Sequence, residues 1–235
     1  MTRVAAIDCG TNSIRLLVAD AHIGEDGRPH LADLTRQMRI VRLGQGVDAR
    51  GYLDPAAISR AVEATVEYQR MIEKLGATSI RFVATSATRD ASNSAEFVRQ
   101  IKAVIGVEPE VVVGTQEASL SFRGAVGGLG ESLPGPMLVV DIGGGSTELV
   151  LGSTSVKQAI SIDMGAVRVT EKFFTHVDPA GGVPAADQER AIAWIDEQLD
   201  IAEKSVDLAR VRSLVGVAGT VTTLTAQALG LTSYQ

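Results

Sequence analysis

The chain has 235 residues, 45% of them hydrophobic but only 4% aromatic, and a formal net charge of −6; this fits two aliphatic α/β lobes better than a β-sandwich. The negative charge argues against nucleic acid as a partner, because non-specific duplex binding leans on an excess of Lys and Arg. No apolar run reaches the roughly 18 to 20 residues that span a bilayer, and the N-terminus enters a strand without a basic leader, so a soluble, cytoplasmic chain with no membrane partner is expected.

Residues 4–19, VAAIDCGTNSIRLLVA, read as an apolar strand, a turn of small residues and a second apolar strand. A third strand is expected near 34–43, followed by a helix announced by Asp54-Pro55 and stopped by Gly76, with Ile58, Val62, Val66, Met71, Ile72 and Leu75 on its apolar stripe. A buried strand at 79–84 leads through Thr85-Ser86-Ala87-Thr88-Arg89-Asp90 into a helix over 94–105. A short strand at 110–113 precedes a helix over 114–126, with Glu117 in its first turn, that bridges two lobes.

The Gly/Pro-rich stretch 127–136, GGLGESLPGP, marks a boundary loop, and further loops are expected at 24–29 and 178–184. Residues 137–152, MLVVDIGGGSTELVLG, then repeat the opening pattern. The second sheet extends through 154–162, and an amphipathic helix over 185–205 is expected to bury Ile192, Ile195, Leu199 and Ile201, with Trp194 at its edge. A last strand at 212–217 ends at Ala218-Gly219-Thr220. The chain stops soon after the helix that follows, so domains at 1–124 and 125–235 are expected, the second incomplete.

The repeated phrase is the main functional signal. Each copy leads a carboxylate, Asp8 or Asp141, into a turn of small residues, Gly10-Thr11-Asn12-Ser13 or Gly143-Gly144-Gly145-Ser146-Thr147. Small side chains let a phosphate approach the main-chain N–H groups, and two such turns facing each other would clamp it. A hairpin kept only for its fold is the plain alternative.

Other chemistry is less supported. Cys9 reads as packing rather than a nucleophile, and His22, His30 and His176 lack zinc-like spacing. Arg36, Arg39, Arg42 and Arg50 either concentrate positive charge for a polyanion or line a solvated strand face.

Five segments, AIDCGTNSIRLLVAD, VATSATRD, GTQEASLSFRGAV, DIGGGSTELVLG and VGVAGTVTTL, resemble in wording and order the signatures of the exopolyphosphatase and guanosine pentaphosphate phosphohydrolase (Ppx/GppA) family. MRIVRLGQGVD fills the place of that family's basic strand. The resemblance implies an α/β fold of two ribonuclease-H-like domains with an interdomain cleft, as in the actin, sugar-kinase and chaperone-ATPase superfamily, and the short two-domain type.

It also implies roles. The family's catalytic glutamate falls on Glu117, its phosphate-binding arginine on Arg89, and its metal-associated acids on Asp141 and Glu148, with Asp8 as the first-loop acid. Phosphate-gripping positions fall on Gly10, Thr11, Asn12, Ser13, Gly143, Gly144, Gly145 and Ser146, and Thr147 completes the second turn. This chain has Gln116-Glu117 where many members have two adjacent acids. The implied cofactor is magnesium, with manganese as a substitute, and a homodimer is left open.

Inorganic polyphosphate is the expected substrate, with terminal orthophosphate released to water. Hydrolysis of pppGpp, a non-catalytic polyphosphate or pppGpp sensor, and an ATP-binding kinase-like protein are the alternatives. Val217-Ala218-Gly219-Thr220 offers one glycine where nucleotide-binding members of the superfamily present two, which disfavours the last. Taken singly, Glu117 complements a helix dipole, Arg89 pairs with Asp90 and Glu148 points to solvent. Their joint occurrence with two phosphate turns favours hydrolysis.

Overall fold

A three-stranded antiparallel meander, then helix, then a parallel strand occurs twice, which is why the same phrase is legible twice in the sequence. The computed structural model describes residues 2–25, 27, 29–129, 133–176 and 181–232. In the first copy β1 (Thr2–Cys9), β2 (Ser13–Ile23) and β3 (Pro29–Ile40) form the meander. Parallel β4 (Ser79–Ala84) and β5 (Glu110–Val111) complete the order β3-β2-β1-β4-β5. In the second, β6 (Met137–Ile142), β7 (Thr147–Gly152) and β8 (Val156–Ile162) repeat the meander, and β9 (Ser213–Val217) runs parallel to β6 in the order β8-β7-β6-β9. Two mixed sheets with helices make the chain α/β.

The helices are α1 (Val47–Arg50), α2 (Pro55–Leu75), α3 (Ser86–Asp90), α4 (Ser94–Ile105), α5 (Gly114–Leu129), α6 (Ala166–Phe173), α7 (Ala185–Glu203) and α8 (Ala218–Ala228). Parts of three expected loops, residues 26, 28, 130–132 and 178–180, lie outside the described residues.

The sequence signals for α2 act as read. The Asp54 side chain accepts from the Ala56 amide at 2.9 Å, Pro55 occupies the first turn, and Gly76 ends the helix in the left-handed region at φ 74°. Its buried stripe is Ala57, Ile58, Ala61, Thr65, Tyr68 and Ile72. Val62, Met71 and Leu75 sit at the stripe's edge, because the small alanines let α2 lie close to the sheet. The Tyr68 hydroxyl donates to the Ile14 carbonyl at 2.8 Å, and burial pushes the phenol up to about 12. With Ile7, Leu16, Phe82, Phe97 and Ile101 these residues form the first core.

Two expectations are corrected. β3 begins at Pro29 and ends at Ile40, not 34–43, because β2 runs on to Ile23 and residues 41–44 leave the sheet to meet the first turn. On α7, Ile192 (58% exposed), Leu199 and Ile201 face solvent. Ala191 and Ala202 are buried instead, with Trp194 and Ile195 packed at the core's margin. The helix meets the sheet on its alanine side.

The chain divides into two compact units, Met1–Val112 and Val113–Gln235, with α5 belonging to the second. The reason lies in α5, whose Ala118 and Phe122 pack with Val139 and Val150 on one face of the second sheet. The other face carries Leu138, Leu149, Leu151 and Ile162 against Ala202 of α7 and Val206 beyond it.

Candidate active site

The first turn joins β1 to β2. The Gly10 amide donates to the Ser13 carbonyl at 3.0 Å and closes it. Its outer carbonyls are taken by the segment after β3: Gly44 donates to Thr11 at 2.8 Å, and Val41 and Arg42 both donate to Asn12 at 3.0 and 2.9 Å. Gly44 is needed there, because a Cβ would overlap the Thr11 methyl. The amides of Thr11 and Asn12 donate to no carbonyl among the described residues.

The buried Thr11 hydroxyl lies 2.9 Å from that of Ser86, which fixes the turn beside the start of α3. Arg89 is in the last turn of α3, where Nη1 donates to the Val112 carbonyl at 3.1 Å and Nε lies 3.7 Å from Asp90. The structure thus brings Thr11 to the Arg89 helix, while these bonds of Arg89 run to Val112 and Asp90 rather than to the turn. Cys9 is buried, and burial, aided by Asp8, pushes its thiol well above the usual range, as packing demands.

The second turn has the same logic with different partners. Gly143 donates to the Ser146 carbonyl at 3.0 Å. The Gly143 carbonyl accepts from Ala166 at 3.0 Å, that of Gly144 from Val167 and Arg168 at 2.9 and 3.1 Å, and that of Gly145 from Arg168 Nε at 2.9 Å. With the carbonyls drawn toward α6, the Gly144 and Gly145 amides donate to no carbonyl among the described residues. Ser146 and Thr147 are buried with their hydroxyls engaged: Thr147 donates to the Met164 carbonyl, and Ser146 hydrogen-bonds Glu148. This turn therefore offers main-chain donors rather than hydroxyls.

Gly165 is the tightest point of that arrangement. A Cβ there would overlap the Gly144 carbonyl and come within 2.6 Å of the Gly145 nitrogen, both main-chain atoms that have no side-chain freedom to give way. Gly165→Ala is expected to cost about 2 to 3 kcal/mol as an overpacked contact, and to displace the two amides. Urea unfolding measures the first effect and phosphate binding the second.

The acids separate the two copies. In the first sheet Asp8 stands directly across from Arg15. At the corresponding register of the second, Asp141 stands across from Glu148. Like charges directly opposed across an antiparallel pair are unfavourable. Glu148 is only 1% exposed, beneath α5. Desolvation first, then the charges of Glu117 and Asp141, push its carboxyl up to about 8, against the opposing hydrogen bonds from Ser161 and Ser146.

Glu117 sits in the first turn of α5, its amide on the Val113 carbonyl at 3.0 Å. The structure therefore brings Glu117 and Asp141 each within electrostatic reach of Glu148. Among the described residues no three His, Cys, Asp or Glu side chains are arranged as a ready-made metal cage.

Sequence reasoning missed the residues that hold these acids. Ser161 Oγ donates to Glu148 Oε1 at 2.7 Å, and Ser121 Oγ donates to Asp141 Oδ2 at 2.6 Å. A Cβ on Gly114 would lie 2.6 Å from Ser161 Oγ, so this glycine lets α5 start against β8. Only Ser121 carried a signal: it lies one helical turn from Glu117 on the same face.

Residues 21–232 match the sequence model of the Ppx/GppA phosphatase family. The chain is 47% identical over 239 residues to exopolyphosphatase 2 of Mycobacterium tuberculosis, covering 100% of this chain and 73% of that protein. Among solved structures, an exopolyphosphatase-like protein is 43% identical with a TM-score of 0.91, covering 100% of this chain and 71% of that one. The Aquifex aeolicus Ppx/GppA family member is 31% identical with a TM-score of 0.73, covering 100% and 72%. The two sheets and their helices thus have the fold of the actin-like ATPase superfamily. With the duplicated turn, the acid pair of its second copy and the matched length, the chain belongs to the Ppx/GppA phosphatase family.

Proposed function

We propose that this chain is an exopolyphosphatase, releasing terminal orthophosphate from inorganic polyphosphate to water. The observation that carries this reading is the meeting of Glu117, Asp141 and Glu148 in the unit whose turn presents the Gly144 and Gly145 amides. Phosphoanhydride hydrolysis needs an oriented water, donors for the phosphoryl oxygens and positive charge. Glu117 orients the water and takes its proton. In the second unit the Gly144 and Gly145 amides hold phosphoryl oxygens, and in the first the Thr11 and Asn12 amides and the Arg89 guanidinium take the same role. The name of the M. tuberculosis relative supports polyphosphate as the substrate.

Magnesium, or manganese in its place, would be held by Asp141 and Glu148. The residues fit: a buried carboxyl facing a second carboxyl, both braced by serine hydroxyls, is stabilised as its anion by a cation. Magnesium uses one or two carboxylates and keeps several waters, so no three-acid cage is required. When bound it supplies charge that offsets what builds on the phosphoryl oxygens. No helix among the described residues is long and apolar enough to cross a membrane.

The test is phosphate release with magnesium from short and long polyphosphate, pppGpp and ATP. Turnover of polyphosphate is expected. Turnover of pppGpp alone would assign the guanosine pentaphosphate reaction, turnover of ATP alone a kinase-like activity, and binding without turnover on any substrate a sensor.

A further inference from the structure

Four arginines cluster in sequence around the end of β3, and the structure treats one of them differently. Arg36 pairs with Asp33, Arg39 with Glu67 at 3.2 Å and Arg50 with Asp54 at 3.5 Å. Arg42 is exposed, and its guanidinium has no acid partner among the described residues.

Its backbone is equally distinct. Arg42 adopts φ 49°, a left-handed conformation that glycine favours and a long side chain does not. The conformation is held from both sides. Its amide donates to the Asn12 carbonyl at 2.9 Å, while Arg60 Nε donates to the preceding carbonyl, that of Val41, at 2.8 Å. The flanking Val41 and Leu43 are buried in the first core. Glycine would bury those neighbours with less strain, so arginine at this position needs another reason.

The adjoining turn supplies one. Arg42 is tied directly to the turn whose Thr11 and Asn12 amides donate to no carbonyl among the described residues. Its side chain is long enough to carry a guanidinium over those amides. A guanidinium within reach of N–H groups that donate to no carbonyl suits an oxyanion.

We propose that Arg42 is a phosphate-binding residue, holding phosphoryl oxygens of the substrate chain at the Gly10–Ser13 turn; this rests on the exopolyphosphatase reading above. Arg36, Arg39 and Arg50, each neutralised by an acid, contribute little to the same chain. The left-handed backbone also makes a clean variant available, because Arg42→Gly removes the guanidinium while relieving the conformation.

The experiment compares the wild-type chain with Arg42→Gly and Arg42→Lys in steady-state phosphate release from long-chain polyphosphate with magnesium at several salt concentrations, alongside thermal unfolding. Arg42→Gly is expected to unfold no earlier than wild type, to raise KM about tenfold with kcat within about twofold, and to reduce the slope of log KM against log salt by about one. Arg42→Lys keeps the charge and the salt slope but loses the forked geometry, so its KM falls between the two. Wild-type turnover with an unchanged KM and slope in Arg42→Gly would overturn the Arg42 assignment alone, as would an earlier unfolding midpoint. A wild-type chain that neither binds nor hydrolyses polyphosphate would remove the functional reading and this one with it.

Discussion

Glu117→Gln is expected to slow phosphate release from polyphosphate by about a thousandfold, the middle of the range for losing a general base, while polyphosphate binding stays within a few-fold of wild type. The reason is positional. Glu117 lies in the first turn of a helix that begins against β8, and it is the member of the acid trio that lies on a helix rather than on the paired strands β6 and β7. Glutamine keeps the shape and a hydrogen-bonding oxygen but has no affinity for a proton. Turnover within tenfold of wild type would remove Glu117 from the chemistry.

The same variant has a second signature that a helix-capping role would not give. The Glu117 charge is one of the causes that push the Glu148 carboxyl up. Without it Glu148 ionises at lower pH, so in the metal-free variant the loss of stability with rising pH should end sooner and be smaller than in wild type. Urea unfolding of both metal-free proteins from pH 5 to pH 9 measures this, and an identical profile in the variant would contradict the coupling.

How far the sequence announced this site depends on the range of the interaction. Asp54-Pro55 and Gly76 bound α2 because capping and left-handed turns are local, and α4 falls over 94–105 as expected. Asp141 was legible as the acid that leads the second copy of the phrase, and Glu148 through the resemblance to the family's metal-associated acids. Ser161, Gly165 and Arg168 were not, since their contacts with Glu148 and the second turn come from β8 and α6 folding back over distant segments. Ile192 and Leu199 show the same limit: spacing on α7 predicted an apolar face, but which side meets the sheet is decided by Ala191 and Ala202.

The duplicated phrase also hides an asymmetry that only the strand register gives meaning. One copy places Arg15 opposite its aspartate and the other places Glu148 there. In the first sheet an opposite charge faces Asp8 across the strand pair, whereas in the second a buried carboxyl, Glu148, faces the part-buried Asp141 under α5. Burial of that kind destabilises the chain unless the carboxyl keeps its proton or gains a cation. A fold selected for stability alone has no use for the pair, which makes it the strongest sign of function in the second unit.

Stability should record this directly. The folded-state value for Glu148 is about 8, against 4.5 for an ordinary glutamate. Between those two pH values the folded chain holds a proton that the unfolded chain has lost, so unfolding releases it and stability falls as pH rises through the window. Below the window both states are protonated and the carboxyl is stabilised in full; above it both are ionised and that contribution is gone. At roughly 1.4 kcal/mol per pH unit the loss amounts to a few kcal/mol. Urea unfolding of the metal-free protein from pH 5 to pH 9 should show the decline in wild type and a flatter profile in Glu148→Gln. Glutamine keeps an acceptor for Ser161 without a charge to desolvate, so the variant should be the more stable protein at the alkaline end. Magnesium should restore wild-type stability more at high pH than at low, and should leave Glu148→Gln nearly unchanged. Parallel profiles for the two metal-free proteins would mean that Glu148 ionises freely in the folded state, and the assignment of the acid pair to a cation would fall with it.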